Sequence, residues 1–368
     1  MRPDRLGFLY PAVDREKCID CGRCEAVCAF NDHYDTSLNL PVPDVYGARH
    51  RDAQEVATSQ SGAAFIAISD WILRQGGTVY GAGYKGHFHV AHKRAETAAE
   101  RDEFKGSKYV QSDIRGVFRQ VWKDLKDGKP VLFTGTPCQV NGLKSCLSSG
   151  LRAKLYTVDN VCHGVPGPFA WRDYLAYAEK KLGGTACRVS FRDKSRYGWR
   201  ATIGMVEVEG GKKADKKLGS VYSRIFYRHV TRRYSCGMCP FTNITRPSDI
   251  TIGDFWGLEK VRPDLNKDDK GVSLMLVNTE KGRALFAAVK SDLNCFPVAL
   301  KDALQPNLCK RVAQSPIREA FEEDYALHGL EHALRKFGLI GWRYEVKQFL
   351  VRGRRKLGRV VRKVLPRR

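Results

Sequence analysis

The chain has no apolar run long enough to span a bilayer, no internal repeat and no recognisable nucleic-acid module. Met1-Arg2-Pro3-Asp4-Arg5 carries charge with no apolar stretch after it, so it does not read as a secretory leader. From Lys347 to Arg368 there are ten Lys/Arg and not one Asp or Glu. Each absence excludes something. A chain without a span or a leader is expected to be soluble and cytoplasmic, with reduced cysteines. Its twelve cysteines then read as metal ligands or small buried hydrophobes rather than disulfides. With no nucleic-acid module, the net charge of +23 does not imply a nucleic-acid partner, and part of it is local to the tail.

What is present is an ordinary core: 43% hydrophobic and 10% aromatic residues in 368. That length suits two domains, or one large domain with an appendage. Helical periodicity covers 63–75, 114–127, 169–182 and 280–290, and a further helix is expected over 221–233. Short strands are expected at 131–133, 155–161 and 272–278, a hairpin over 78–92, and antiparallel strands within 187–209. Residues 31–57, which include Pro41 and Pro43, lack a period and read as loop. Strand–turn–helix alternation predicts a parallel α/β organisation with function at the strand C-termini. The expected divisions are 1–57, 58–130, 131–330 and a basic tail, 331–368.

Cys18, Cys21, Cys24 and Cys28 have the spacing C-x2-C-x2-C-x3-C, the bacterial ferredoxin run for a 4Fe-4S cluster. Gly22 relaxes the turn, and Ala29 stands where proline usually follows the fourth cysteine. The competing reading is a zinc knuckle. Cys138, Cys162, Cys236 and Cys239 are scattered, but each sits in a turn marked by glycine or proline. Cys138 and Cys162 follow strand ends. These four sulfurs are expected to converge on a second metal centre, either an iron–sulfur cluster or one structural zinc. Cys146, Cys187, Cys295 and Cys309 are expected to be buried hydrophobes.

Ser59-Gln60-Ser61-Gly62 precedes a helix, a setting that suits either phosphate binding, with Gly62 allowing close approach, or an ordinary N-cap. Lys108 and Tyr109 offer a positive charge and an aromatic edge. His163 follows a candidate ligand and reads as a proton donor, a hydrogen-bonding support or a structural histidine. Asp249, Asp254 and Trp256 lie in the densest motif with their roles open. His87, His89 and His92 have no carboxylate or cysteine grouped with them and make a poor metal site. The tail alternates basic and apolar residues such as Leu357, Val360 and Val361. It reads as a solvated end, or as a basic helix making weak contact with an anionic membrane at the inner face.

These residues together carry a resemblance. Lys17-Cys-Ile-Asp-Cys-Gly-Arg-Cys24, Gly106-Ser-Lys-Tyr109, Phe133-Thr-Gly-Thr-Pro-Cys-Gln139, Asp159-Asn-Val-Cys-His-Gly164, Cys236-Gly-Met-Cys239 and Arg246-Pro-Ser-Asp-Ile-Thr-Ile-Gly-Asp-Phe-Trp256 resemble the coenzyme F-420 hydrogenase/dehydrogenase beta-subunit family. Its relatives include iron–sulfur proteins encoded with polysaccharide synthesis genes. The resemblance spans roughly residues 7–325. It implies an α/β flavin-binding core with a mixed sheet, preceded by a ferredoxin-like piece of which this chain carries one cysteine run. It further implies FAD near Ser59–Gly62, Lys108 and Tyr109, and a second 4Fe-4S cluster on Cys138, Cys162, Cys236 and Cys239. The implied function is an oxidoreductase that takes electrons from a ferredoxin-like donor or partner subunit. They would pass through the clusters to FAD and on to a deazaflavin or a small, sugar-linked acceptor. The alternative is a non-enzymatic electron-transfer subunit.

Overall fold

A computed structural model of the chain describes residues 1–30 and 34–351. Leu357, Val360 and Val361 of the expected tail helix lie outside the described residues; a helical stretch covers 342–351.

Eight strands form one mixed sheet. In chain order they are β1 (Asn39–His50), β2 (Thr78–Lys85), β3 (His89–Ala95), β4 (Val131–Gly135), β5 (Leu155–Asn160), β6 (Ile250–Asp254), β7 (Ser273–Thr279) and β8 (Leu293–Pro297). Their order across the sheet is β8-β1-β7-β6-β5-β4-β2-β3. The central four, β2, β4, β5 and β6, run parallel, with antiparallel strands on both sides. The expected α/β class and mixed sheet are what the chain builds.

Strand alternation assigns the two faces. Leu132 points with Val79, Val158 and Ile250 into a core covered by the helices Ala64–Arg74 and Glu280–Val289. Val131 and Phe133 point with Tyr80 and Leu155 to the opposite face, under the helices Val117–Lys126 and Pro137–Ser145. A third cluster gathers the helices Pro168–Leu182, Lys216–Arg228, Arg318–His328 and Leu330–Lys336 around Trp171, Tyr174, Tyr222 and Phe321. Among the described residues no helix is long and apolar enough to cross a membrane.

Three expectations fail. The described part of 31–57 is not all loop: β1 occupies twelve of its residues and lies between β7 and β8. Pro41 and Pro43 fall where its pairing with β7 slips between Val277 and Thr279, so no ladder hydrogen bond is asked of them. β8 is likewise absent from the expected strands. The helix expected over 221–233 runs instead from Lys216 to Arg228. The Asp215 side chain caps its start and left-handed His229 (φ 56°) ends it. Finally, Cys146, Cys187 and Cys309 are exposed and Cys295 is half-buried. Their ordinary sequence contexts conceal surface positions.

Candidate functional site

The parallel strands β4, β5 and β6 are neighbours, so their C-terminal ends open side by side. β4 leads through Thr136 into the helix Pro137–Ser145, with Cys138 in its first turn. Proline suits that first turn, where its missing N–H has no intrahelical acceptor in any case. The Gln139 carboxamide accepts from Thr136 N at 3.0 Å, and Thr136 Oγ1 lies 3.1 Å from Cys138 Sγ. β5 ends two residues before Cys162, whose sulfur accepts from Gly164 N at 3.3 Å. The chain returns after the helix Lys216–Arg228 and pairs with the segment just past Cys162. Gly167 N donates to Thr231 O at 2.9 Å, and Arg233 N to Val165 O at 3.0 Å. That pairing delivers the short 3-10 turn Tyr234–Met238, which carries Cys236 with Cys239 following it.

The four scattered sulfurs share one neighbourhood. Burial pushes the Cys138 thiol up to about 11, and the charges of Cys236 and Cys239 push the same way. Burial likewise raises Cys162, with Cys236, Cys138 and Cys239 adding to it. Among the described residues, however, no three of these thiols lie within 4.8 Å of one another.

Arg232 is a further resident that the sequence reading misses. Only 2% of it is exposed, and its stem lies beside Gly164 and near Cys236. One guanidinium nitrogen donates to the carbonyls of Val312 and Ala313, both at 2.7 Å, while Nε and Nη1 are buried without a partner. Burial lowers its pKa, and Cys236 and Cys162 oppose that. A buried cation with two unspent donors beside thiols fits an anionic centre, and an iron–sulfur cluster with four thiolates is anionic. The basic pair before Cys236, Arg232-Arg233, is the available sequence signal.

A cavity of about 1490 Å³ opens at these strand ends, and Cys138, Cys162 and Cys236 line it. Typical small-molecule sites hold roughly 300–1,000 Å³, so there is room for a dinucleotide. Ser59, Gln60, Ser61, Lys108, Tyr109 and His163 also line it, and Gly62 does not. Neither serine caps the helix that follows. The helix starts at Ala64 after left-handed Ala63 (φ 62°), and no side chain caps it. Ser61 Oγ donates to Val272 O at 2.8 Å. Ser59 Oγ and Gln60 Nε2 are buried without partners, and Ser59 is only 8% exposed. Such orphaned groups at the wall of a cavity fit a polar ligand. Gly62 serves the fold: a Cβ there would stand 2.2 Å from Ala48 O.

Lys108 is not a free cation. Its ammonium donates to the carbonyls of Glu103, Lys105 and Gly106, and burial brings its pKa down to about 7. Tyr109 stacks on Phe226 with ring centres 4.6 Å apart. His163 has both ring nitrogens engaged, by Asn307 Oδ1 at 3.0 Å and His229 Nε2 at 2.8 Å.

The dense motif divides into two tasks. Asp249 is internal scaffolding, accepting from Thr157 N and Oγ1 and from Thr279 Oγ1. Asp254 faces the cavity and takes Arg192 Nη1 at 2.5 Å and Trp199 Nε1 at 2.7 Å, while Trp199 stacks on Trp256 at 4.5 Å.

Cys18, Cys21, Cys24 and Cys28 are exposed around the short helix Arg23–Ala26. Their segment is docked on the helix that bears Cys138. Ser145 Oγ donates to Val27 O at 2.9 Å and Asn141 Nδ2 to Ala29 O at 3.3 Å, while Phe30 meets Phe241 edge-on. Ala29 and Phe30 also line the cavity. One helix thus joins the two cysteine sets.

Comparison with known proteins adds four findings. Residues 128–296 match the family model for the C-terminal part of the coenzyme F420 hydrogenase/dehydrogenase beta subunit. Residues 10–32 match a 4Fe-4S binding domain. No curated protein sequence gives a significant match. Among solved structures, a chain from the xenon-derivatized F420-reducing [NiFe] hydrogenase complex of Methanosarcina barkeri is similar. It shares 15% identity, with 83% of this chain and 94% of that chain covered and a TM-score of 0.48.

Proposed function

We propose that this chain is an iron–sulfur, oxidoreductase-type electron-transfer subunit that binds FAD and two 4Fe-4S clusters; the matches of residues 128–296 to the coenzyme F420 hydrogenase/dehydrogenase beta-subunit family model and of residues 10–32 to a 4Fe-4S binding domain support this reading. Cys138, Cys162, Cys236 and Cys239 would hold the second cluster, and Cys18, Cys21, Cys24 and Cys28 the first. Ser59 and Gln60 would hold the flavin's phosphates. When bound, these groups supply single-electron relay through iron and pairing of electrons at the flavin for a hydride-type transfer. The chain's own residues position and insulate. The helix Pro137–Ser145 fixes the first cysteine segment against the cavity. Arg232 balances negative charge beside Cys162 and Cys236. Asp254 and Trp256 line the cavity, and Arg192 and Trp199 brace them from behind.

The observation that carries the reading is the cavity at the ends of β4, β5 and β6. It is lined at once by three thiols and by two orphaned polar side chains. The donor is read as a ferredoxin-like protein or a partner subunit, and the acceptor as a deazaflavin or a small, sugar-linked molecule. Anaerobically purified protein is expected to be brown, with about eight irons and one flavin per chain. Colourless protein containing zinc would overturn the reading. Oxidation of reduced deazaflavin by the isolated chain separates an enzyme from a relay subunit.

A further inference from the structure

Away from the cavity, the helices Arg318–His328 and Leu330–Lys336 meet at Gly329, whose φ of 80° turns the chain. Asp324 and His328 are four residues apart and share one face of the first helix. The turn brings His332, in the second helix, onto the same spot. The carboxylate and the two imidazoles place one ligand atom each within 4.8 Å of the others. His332 Nδ1 is 3.3 Å from Asp324 Oδ2, and the two histidine rings meet edge-on with centres 4.7 Å apart.

The carboxylate is unusual for its position. Asp324 is only 4% exposed, lying just under the surface beneath the more exposed imidazoles. Its Oδ1 accepts from Lys336 Nζ at 2.6 Å, but Oδ2 is buried with no hydrogen bond. Buried carboxylate oxygens are ordinarily satisfied, so Oδ2 is a donor atom in reserve. Lys336 occupies only the other oxygen and leaves this one free for monodentate ligation.

We propose that Asp324, His328 and His332 form a divalent transition-metal site of zinc type that clips the two C-terminal helices together. Two imidazole nitrogens and one carboxylate oxygen are a donor set for zinc, at roughly 2.0–2.2 Å each, with water completing the tetrahedron. Reaching those distances requires the ligand atoms to close in from their present spacing. Both histidines are exposed, so the closure falls on side chains and not on the backbone. The clip has something to brace. Phe321, Tyr325, Leu330, Ala333 and Leu334 of these helices pack into the core around Trp171 and Tyr222. Arg318, at the start of the first helix, donates to the carbonyl of Arg232 at 3.1 Å. The metal would hold the far end of the element that supports the residue beside Cys236.

The test uses the full chain, kept anaerobic with its iron in place. Zinc is added in slight excess and unbound metal is removed by gel filtration. Zinc and iron are then counted, and melting is followed with and without added zinc. The expected result is about one extra zinc per chain, unchanged iron and a higher melting temperature. The double variant His328→Ala/His332→Ala should keep the parent's melting temperature without zinc, yet gain neither the metal nor the shift. His332→Asp, which keeps a ligand, should restore part of both. Three outcomes overturn the proposal: no retained zinc in the parent, equal zinc in the double variant, or zinc gained only as iron is lost. The last would assign the metal to the cysteines. None of these outcomes depends on whether the cavity holds a flavin.

Discussion

Ser112 Oγ donates to His92 Nδ1 at 2.8 Å, and the opposite nitrogen of that ring donates to Thr134 O, also at 2.8 Å. This arrangement assigns the neutral tautomer with its proton on Nε2. Ser112 in turn accepts from Gln139 Nε2 at 2.9 Å, and Gln139 holds Thr136 N. A fully buried imidazole thus sits behind the turn that presents Cys138.

Burial brings the pKa of His92 down to about 4, from an ordinary value near 6.5. The unfolded chain therefore binds a proton below pH 6.5 that the folded chain refuses until about pH 4. Stability contributed by neutral His92 is complete above pH 6.5 and is lost as pH falls through that window. Between pH 7 and pH 5 the loss should be about 2 kcal/mol from this residue. His229, held down to about 4 mainly by burial, acts in the same sense. Urea melts at the two pH values should show the fall in the parent and a smaller one in His92→Gln. An unchanged slope in the variant would remove His92 from the account.

Ser59 and Gly62 belong to one sequence motif but differ in task, and substitutions should separate them. Ser59→Ala removes an orphaned hydroxyl at the cavity wall without disturbing packing. It should leave the melting temperature within a degree or two and weaken flavin binding by about ten- to a hundredfold, since a lost hydrogen bond to a charged group is worth about 1.5–3 kcal/mol. Gly62→Ala drives a methyl group into the backbone of Ala48 and Ser273 and should cost about 1–3 kcal/mol or more of stability. Flavin content after gel filtration and thermal melts check both. Equal flavin binding by Ser59→Ala and the parent would move the phosphates elsewhere.

The parallel strands and the turns after them are legible in the sequence because each has its own local signal. The apolar runs at 131–133 and 155–161 end in glycine, proline and cysteine, and the structure puts Cys138 and Cys162 where those runs predict. β1 is not legible. Its ladder is made with β7 and β8, more than two hundred residues away, and Pro41 and Pro43 argue against a strand. Gly62 suggests close approach of a ligand, whereas the close approach is that of β1 and β7. Arg232 escapes notice because a basic residue beside cysteines is unremarkable until its burial and its unspent donors are known.

Arg232 supplies the next prediction. A guanidinium held beside Cys162 and Cys236 favours the more negative, reduced form of an anionic cluster. Arg232→Gln should therefore lower the midpoint potential of the second cluster and leave the first unchanged. Arg232→Lys keeps the charge and should restore most of the shift, which a merely structural role would not do. Redox titration followed by electron paramagnetic resonance distinguishes the two clusters. Equal potentials in the parent and in Arg232→Gln would mean that the guanidinium does not face the cluster.

The two cysteine sets should fail independently, even though one helix joins them. Cys236 is half-buried within the pairing that follows Cys162, whereas Cys18, Cys21, Cys24 and Cys28 lie exposed on a segment docked at the later turns of the helix Pro137–Ser145. Cys236→Ser should remove about four of eight irons and leave the ferredoxin-type signal. Cys21→Ser should remove the other four and spare flavin content, because Ser59 and Gln60 do not depend on that segment. Loss of all iron in either variant would show that the sets assemble as a unit, with the backbone contacts of Val27 and Ala29 to Ser145 and Asn141 as the coupling. An unchanged iron count in Cys236→Ser would show that Cys236 is not a ligand, and the gathering of thiols at the strand ends would then need a different occupant.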